Sequence, residues 1–216
     1  MTILITGANR GIGKALMDSY QANGETVIGT HRAPDSGDMR QLDVADAAGH
    51  CHLADGLRDI SIDLLVCNAG IYQDKGQSLD SGYPAEMWAE MFATNVTGVF
   101  LTIQALLLQL RRGTPGKIAI ISSQMASHTR APGGSYIYRS SKAAVLNLGR
   151  NLATDLQPEG IAVGIYHPGW VRTDMGTEAA AISVTESASG LMERFAALDL
   201  QTTGCFETWD GQAHAY

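Results

Sequence analysis

TGANRGIG, Thr6 to Gly13, follows an apolar, β-rich run at Thr2 to Ile5 and opens a helical stretch at Gly11 to Asn23. Glycines at a strand-to-helix turn let the backbone reverse tightly and approach a pyrophosphate, while the unpaired N–H groups and positive end of the helix attract its charge. Gly7, Gly11 and Gly13 are spaced G-x-x-x-G-x-G, which differs from G-x-G-x-x-G. Alone, such a set is equally compatible with a plain tight turn; its position directly after a strand favours phosphate binding.

Further β-rich runs at Thr26 to Thr30, Ile62 to Cys67, Lys117 to Ser122 and Ile161 to His167 alternate with helical stretches. The helices are expected at Pro84 to Leu110, as one or two pieces, and at Ser135 to Leu156, closed by Pro158 and Gly160. Ser183 with Glu186 fits a capping box that opens a last helix to about Leu198. This alternation is the pattern of βαβ units around a parallel sheet whose strands are buried on both faces.

The 216 residues suit one domain, since domains run to about 100 to 200 residues, and leave no room for a separate substrate domain. A single unit over residues 1–216 is therefore expected. The 45% hydrophobic content is ample for a core. A net charge of -7 and scattered Lys/Arg, with Arg111-Arg112 the only adjacent basic pair, argue against nucleic acid as a partner. The longest apolar region, Val99 to Leu110, is broken by polar residues and falls short of the roughly 20 needed to span a bilayer, so no membrane association is expected. Cys51, Cys67 and Cys205 form no C-x-x-C pair, and the chain opens on a strand where an export signal would need a basic stretch; a reducing, cytoplasmic setting follows.

The second run ends Gly29-Thr30-His31-Arg32, where a dinucleotide fold places the group that reads the adenosine ribose. A carboxylate there would accept from the 2′-hydroxyl of NAD, whereas Arg32, with Arg10, would neutralise a 2′-phosphate, favouring NADP(H). Two solvated surface arginines are the plain alternative. Tyr138 and Lys142, in YRSSK, lie four residues apart on one helix face. A phenol with an ordinary pKa of about 10 is a poor proton relay at neutral pH, and a nearby ammonium favours its phenolate. Ser122-Ser123, Asn68-Ala69-Gly70 and His167-Pro168-Gly169 stand at three further strand ends, the edge where open α/β folds bind ligands, and Asn95 lies in the long helical stretch. Each alone reads as a turn or a helix kink; together they converge on one edge.

TGANRGIG, Leu42-Asp43-Val44, CNAG at 67 to 70, Asn95-Val96-Thr97-Gly98, IISS at 120 to 123, YRSSK at 138 to 142 and HPGWVRT at 167 to 173 resemble the short-chain dehydrogenase/reductase superfamily across essentially the whole chain. HPGWVRTDM and the ending around Trp209-Asp210-Gly211 look most like the small branch of the C-factor protein and the sniffer-type carbonyl reductases. The resemblance implies a single-domain, Rossmann-type, doubly wound parallel sheet of about seven strands, order 3-2-1-4-5-6-7, with helices on both faces. It implies that Tyr138 gives a proton to a carbonyl oxygen or takes one from the alcohol, that Lys142 lowers the Tyr138 pKa and holds the nicotinamide ribose, that Ser123 polarises the carbonyl, and that Asn95 supports a water-linked relay toward Lys142. Cofactor contacts would come from the loop residues Gly7, Asn9, Arg10, Gly11, Ile12 and Gly13, from Arg32, Asp43 and Val44, from Asn68, Ala69 and Gly70, and from Pro168, Gly169, Val171 and Thr173, with Tyr138 and Lys142. The partner implied is a small carbonyl or alcohol substrate, and the long helices at 84 to 110 and 135 to 156 would form a homodimer or homotetramer.

An NADP(H)-binding signalling or redox-sensing protein with little turnover is the alternative, though a pure sensor has no need of Asn95, Ser123, Tyr138 and Lys142 together. A sugar-nucleotide epimerase would require a further substrate domain. Ser123 lies 15 positions before Tyr138, so the intervening HTRAPGGS loop is long, and Arg139 is bulkier than the small residue common beside the tyrosine. His50-Cys51-His52 looks like a metal cluster, but adjacent helical residues point apart, so no metal is expected. Met125, Trp170 and Met175 flank the pocket and also suit plain packing. About nine residues between Thr30 and Arg40 leave room for at most a single helical turn, and about nine between Thr173 and Ser183 leave a small flap.

Overall fold

The computed structural model describes residues 1–33, 39–80, 82–129, 131–176 and 180–216. The glycine-rich turn joins β1 (Thr2–Ile5) to α1 (Gly11–Ala22), and β2 (Thr26–His31) and β3 (Met39–Gln41) follow. Next come α2 (Ala47–Gly56), β4 (Leu64–Cys67), α3 (Ala85–Phe92), a π-helical turn (Ala93–Thr97), α4 (Gly98–Ala105) and α5 (Leu107–Arg112). The chain continues through β5 (Gly116–Ile121), a short 3-10 turn (Gln124–Ala126), α6 (Tyr136–Leu156), β6 (Ile161–His167), α7 (Val184–Ala197) and β7 (Phe206–Thr208).

Among the described residues the strands form one seven-stranded parallel sheet in the order β3-β2-β1-β4-β5-β6-β7. The two-residue period of a strand sends alternate side chains into separate cores. Leu4, Leu65, Cys67, Ile118 and Ile120 join the layer of α2, α4 and α6. Ile3, Ile5, Leu64, Val66 and Ala119 join the layer of α1 and α7. Both faces are covered, which is why these strands read as continuous apolar runs.

The expected long helix at 84 to 110 is three helices and a π turn. The π turn centres on Asn95, and the chain breaks again at Leu106, whose N–H is shared between the Thr102 and Ile103 carbonyls. The fourth strand starts at Leu64 instead of Ile62, because the Ile62 N–H bonds the Gln109 carbonyl outside the sheet. The capping box at Ser183 forms: Ser183 Oγ accepts from the Glu186 N–H at 3.1 Å and Glu186 accepts from the Ser183 N–H at 2.8 Å. Most of the link expected to lack a full helix, residues 34–38, lies outside the described residues, as do 177–179 of the expected flap and Arg130 of the HTRAPGGS loop.

His50 is engaged inside the fold. Its buried ring bonds the Asp46 carbonyl and, at 3.0 Å, Thr102 Oγ1, tying α2 to α4. Among the described residues no helix is long and apolar enough to cross a membrane.

α6 carries the YRSSK motif and meets the sheet at Gly149, where an added Cβ would stand 2.7 Å from Ile165 Cγ1 and 3.1 Å from Ile120 Cδ1. Gly149→Ala gains about 1 kcal/mol of helix propensity but forces a methyl against the fully buried Ile165, and such overpacking costs about 1–3 kcal/mol. The expected net is a loss of about 1 kcal/mol, read as a lower urea midpoint. An equal or higher midpoint would show that the sheet yields there at no cost.

Candidate active site

The glycine turn is built as a cradle. Gly7 and Gly11 have φ of 66° and 55°, the left-handed region that suits glycine. Gly13 has no room for a side chain: a Cβ there would collide with the Gly7 carbonyl and stand 2.5 Å from Asn68 Nδ2. Asn68 holds the turn from the end of β4, donating through Nδ2 to the carbonyls of Thr6 at 2.9 Å and Gly7 at 3.1 Å. Thr6 Oγ1 in return accepts from the N–H groups of Asn68 and Ala69, each at 3.0 Å. With α1 starting at Gly11, N–H groups are aimed where a pyrophosphate would lie.

This cradle opens on a cleft of about 650 Å³ along the carboxyl ends of the strands. Its walls include Gly7, Asn9, Arg10, Gly11 and Ile12 from the turn, and Arg32, Asp43 and Val44 beyond β2 and β3. Asn68, Ala69 and Gly70 line it from β4, Tyr138 and Lys142 from α6, and Pro168 and Thr173 from the segment after β6. The structure thus brings most of the expected cofactor residues to one cavity, and their glycine cradle and cations fit a dinucleotide.

Three expected contacts lie elsewhere. Gly13 is buried behind the turn. Gly169, at φ 88°, packs toward Ile182 and the Trp209 ring, and Val171 is buried and bridged to Ile182. Arg10 is ion-paired with Asp174 across the cleft mouth, so its charge is already matched, while the exposed Arg32 stands at the end of β2.

Tyr138 is buried with its hydroxyl near the Ser123 side chain and 4.0 Å from Met175 Sδ. Lys142 Nζ lies 5.7 Å from the centroid of the Tyr138 ring and donates to the Ile121 carbonyl at 2.9 Å. The neighbouring serines separate cleanly. Ser122 Oγ donates to the Lys142 carbonyl at 3.0 Å, whereas Ser123 Oγ faces Tyr138 and accepts from the Met125 N–H at 3.1 Å.

Burial pushes the Tyr138 phenol well above its ordinary value; the nearby Ser123 hydroxyl lowers it in part, and Tyr72 and Asp74 raise it further. Desolvation therefore dominates the phenol, and the Lys142 ammonium acts against that background. Burial lowers Lys142 to about 8, so its ammonium form prevails at neutral pH.

Asn95 uses its whole side chain as a brace. Its Oδ1 accepts from the Ile71 N–H at 2.8 Å, and Nδ2 donates to the Ile71 carbonyl at 2.9 Å and to Ser141 Oγ at 3.1 Å. The side chain thus fixes the residue after CNAG to α6. Gly70 sits between it and Lys142: an added Cβ would lie 3.3 Å from Asn95 Oδ1 and 3.5 Å from Lys142 Nζ.

Sequence reasoning overlooked Tyr72, Asp74, Arg172 and Asp174. Arg172 and Asp174 line the cleft inside and just beyond HPGWVRT. Tyr72 stacks on Tyr138, with ring centroids 4.2 Å apart and planes at 24°. Tyr72 and Asp74 directly follow CNAG, in a segment without periodicity to mark them.

The short chain dehydrogenase family model matches residues 1–182. C-signal of Myxococcus xanthus is 36% identical over 151 residues, covering 69% of this chain and 90% of that protein. The 3-oxoacyl-acyl-carrier-protein reductase of Escherichia coli is 31% identical over 185 residues, covering 80% of this chain and 74% of that one. Among solved structures, an NADPH-bound carbonyl reductase from chicken fatty liver superposes with a TM-score of 0.91 at 28% identity, covering 100% of this chain and 98% of that chain. The carbonyl reductase Sniffer of D. melanogaster gives a TM-score of 0.91 at 25% identity, covering 100% and 99%. A cradle for a dinucleotide, a phenol beside a buried ammonium and these likenesses agree: the chain belongs to the short-chain dehydrogenase family and is an NAD(P)-dependent oxidoreductase.

Proposed function

We propose that the protein is an NADP(H)-dependent reductase of small carbonyl compounds, able to oxidise the corresponding alcohol in reverse. The observation that carries this reading is the convergence of Ser123 and Lys142 on a buried, protonated Tyr138 at the wall of the cofactor cleft. The chicken carbonyl reductase structure holds NADPH, and a Burkholderia multivorans short-chain dehydrogenase/reductase of comparable fold holds NADP, which supports the choice of cofactor. When bound, NADP(H) supplies or accepts the hydride.

The protein's own residues handle position and proton. Tyr138 donates its hydroxyl proton to the carbonyl oxygen as negative charge develops there, and Ser123 donates a second hydrogen bond to the same oxygen. Lys142, held by Ile121, stabilises the phenolate left behind and binds the nicotinamide ribose. Asn95 keeps Ile71 and Ser141 in place around them. Arg32 meets the 2′-phosphate. The 36% identity to C-signal favours a second reading, a signalling or redox-sensing protein that binds NADP(H) with little turnover.

NADPH consumption measured against a panel of aldehydes, ketones and quinones separates the two. The reductase reading expects turnover that falls by about three orders of magnitude or more in Tyr138→Phe, with NADPH affinity nearly intact. Tight NADPH binding with no turnover across the panel supports the sensor, and an active Tyr138→Phe removes that residue from the proton step.

Arg32→Asp should reverse the relative affinities for NADPH and NADH in a binding titration. Unchanged relative affinities would show that Arg32 does not read the phosphate.

The Lys142 ammonium gives a test by pH. Its folded value, about 8, lies below the ordinary 10.5, so between these values the unfolded chain binds more protons and folding stability rises with pH. Below pH 8 the contribution is flat. Lys142→Met abolishes this component, so the stability of the wild type relative to the variant should grow from pH 8 to 10 in matched urea titrations. A pH-independent difference would place Lys142 at an ordinary pKa.

A further inference from the structure

The segment joining β4 to α3 docks on the first turn of α6 through side chains to which the proton step gives no role. Tyr72 lies against the Tyr138 ring, and its hydroxyl bonds Ser135 Oγ at 2.6 Å. Tyr83, with a φ of 68°, packs edge-on to Tyr136 with centroids 5.1 Å apart. Between them, Asp74 is fully buried; its Oδ2 accepts from the N–H groups of Ile137 at 2.8 Å and Tyr138 at 3.3 Å. Its Oδ1 has no hydrogen-bond partner among the described residues.

A carboxylate in that position is costly, since a buried polar atom left unpaired loses its hydration without recompense. It is also an unusual helix cap. The N-cap residue of α6 is Ser135, in left-handed conformation at φ 48° and making no side-chain cap bond. The first-turn N–H groups are served instead from more than sixty residues upstream, and one of them is the N–H of Tyr138 itself.

We propose that Asp74 is a positioning residue for the proton donor, fixing the first turn of α6 so that the Tyr138 hydroxyl stays at Ser123. The inference rests on Tyr138 being the proton donor proposed above. Tyr138 is faced by Lys142 from its own helix, Ser123 from the turn after β5, Met175 from the segment after β6, and Tyr72 and Asp74 from the segment after β4. Lys142 and Asp74 are the charged members of that set. The negative charge of Asp74 opposes ionisation of the phenol, keeping the donor form populated to higher pH.

The test compares Asp74→Asn, which keeps an acceptor oxygen without the charge, and Asp74→Ala, which keeps neither, with wild type and Tyr138→Phe, all saturated with NADPH. Readouts are backbone amide exchange over residues 135–141, NADPH affinity, melting temperature, and kcat across pH on a carbonyl that the wild type reduces. Asp74→Ala should speed exchange and lower kcat by about tenfold or more, with NADPH affinity within about twofold. Asp74→Asn should restore most of the exchange protection and of the neutral-pH kcat, because the amide oxygen keeps the acceptor for the Ile137 and Tyr138 N–H groups. Unchanged exchange and kcat in Asp74→Ala, no rescue of exchange and kcat in Asp74→Asn, or loss of NADPH affinity and melting temperature alongside kcat in both variants would overturn the proposal. A wild type that reduces no carbonyl defeats the reductase reading instead, and the exchange measurement still decides whether Asp74 holds the turn.

Discussion

Lys142 is an ammonium taken almost wholly out of water, and the geometry of the site follows from how the fold compensates that burial. Its Nζ donates to the carbonyl of Ile121, the last residue of β5, and its own carbonyl accepts from Ser122 Oγ, the next residue along. One strand end therefore grips one helical residue by both its side chain and its backbone. Tyr138, one turn earlier on α6, inherits that placement. The grip requires the helix to lie close against the sheet, and the missing side chain at Gly149 permits it. An apolar residue in place of Lys142 would avoid the desolvation that lowers it to about 8. Such a cost persists where the charge itself is needed.

The end of β4 couples the two halves of the site. Asn68 reaches back to the glycine turn, Gly70 keeps open the gap between Asn95 and Lys142, and Ile71 is clasped at both N–H and carbonyl by Asn95. The chain then runs directly into Tyr72 and Asp74 on α6. Seven consecutive residues thus set the cofactor cradle on one side and Tyr138 on the other. A parallel sheet delivers this economy because neighbouring strands end on the same edge. The π turn at Asn95 serves the same brace: the extra residue in the turn is found often at functional sites, and here it carries a side chain that spans α3–α4, Ile71 and Ser141.

Much of this was legible before any coordinate. Strands β1 and β6 fall where the apolar runs put them, because both faces of a central parallel strand are buried and the run has no polar interruption. Tyr138 and Lys142 were readable as a pair because helical spacing is fixed by backbone geometry. What escaped has a common cause. Tyr72 and Asp74 act from a segment without regular structure, so no period marks them, and Asp74 finds its partners across 63 and 64 residues. Ser122 and Ser123 are equivalent in sequence and differ only in which side of β5 their Oγ leaves. The weight of burial on Tyr138 also escaped, because charge proximity is visible in a four-residue spacing, whereas desolvation depends on everything packed around the ring.

The burial of Tyr138 bears on the chemistry. A phenol drawn down by an ammonium would be poised as a base; a phenol raised by burial is held as an acid. In the reaction proposed here the site meets substrate at neutral pH with Tyr138 protonated and Lys142 charged, which is the state required to protonate a carbonyl oxygen. Alcohol oxidation needs the phenolate first, and burial opposes it. The ammonium offsets part of that opposition only below about pH 8, where it stays charged but the phenol is furthest from ionising. In the proposed reaction both buried groups thus stand in the protonation state that carbonyl reduction requires, and that state is set by how tightly α6, β5 and the segment after β4 enclose Tyr138.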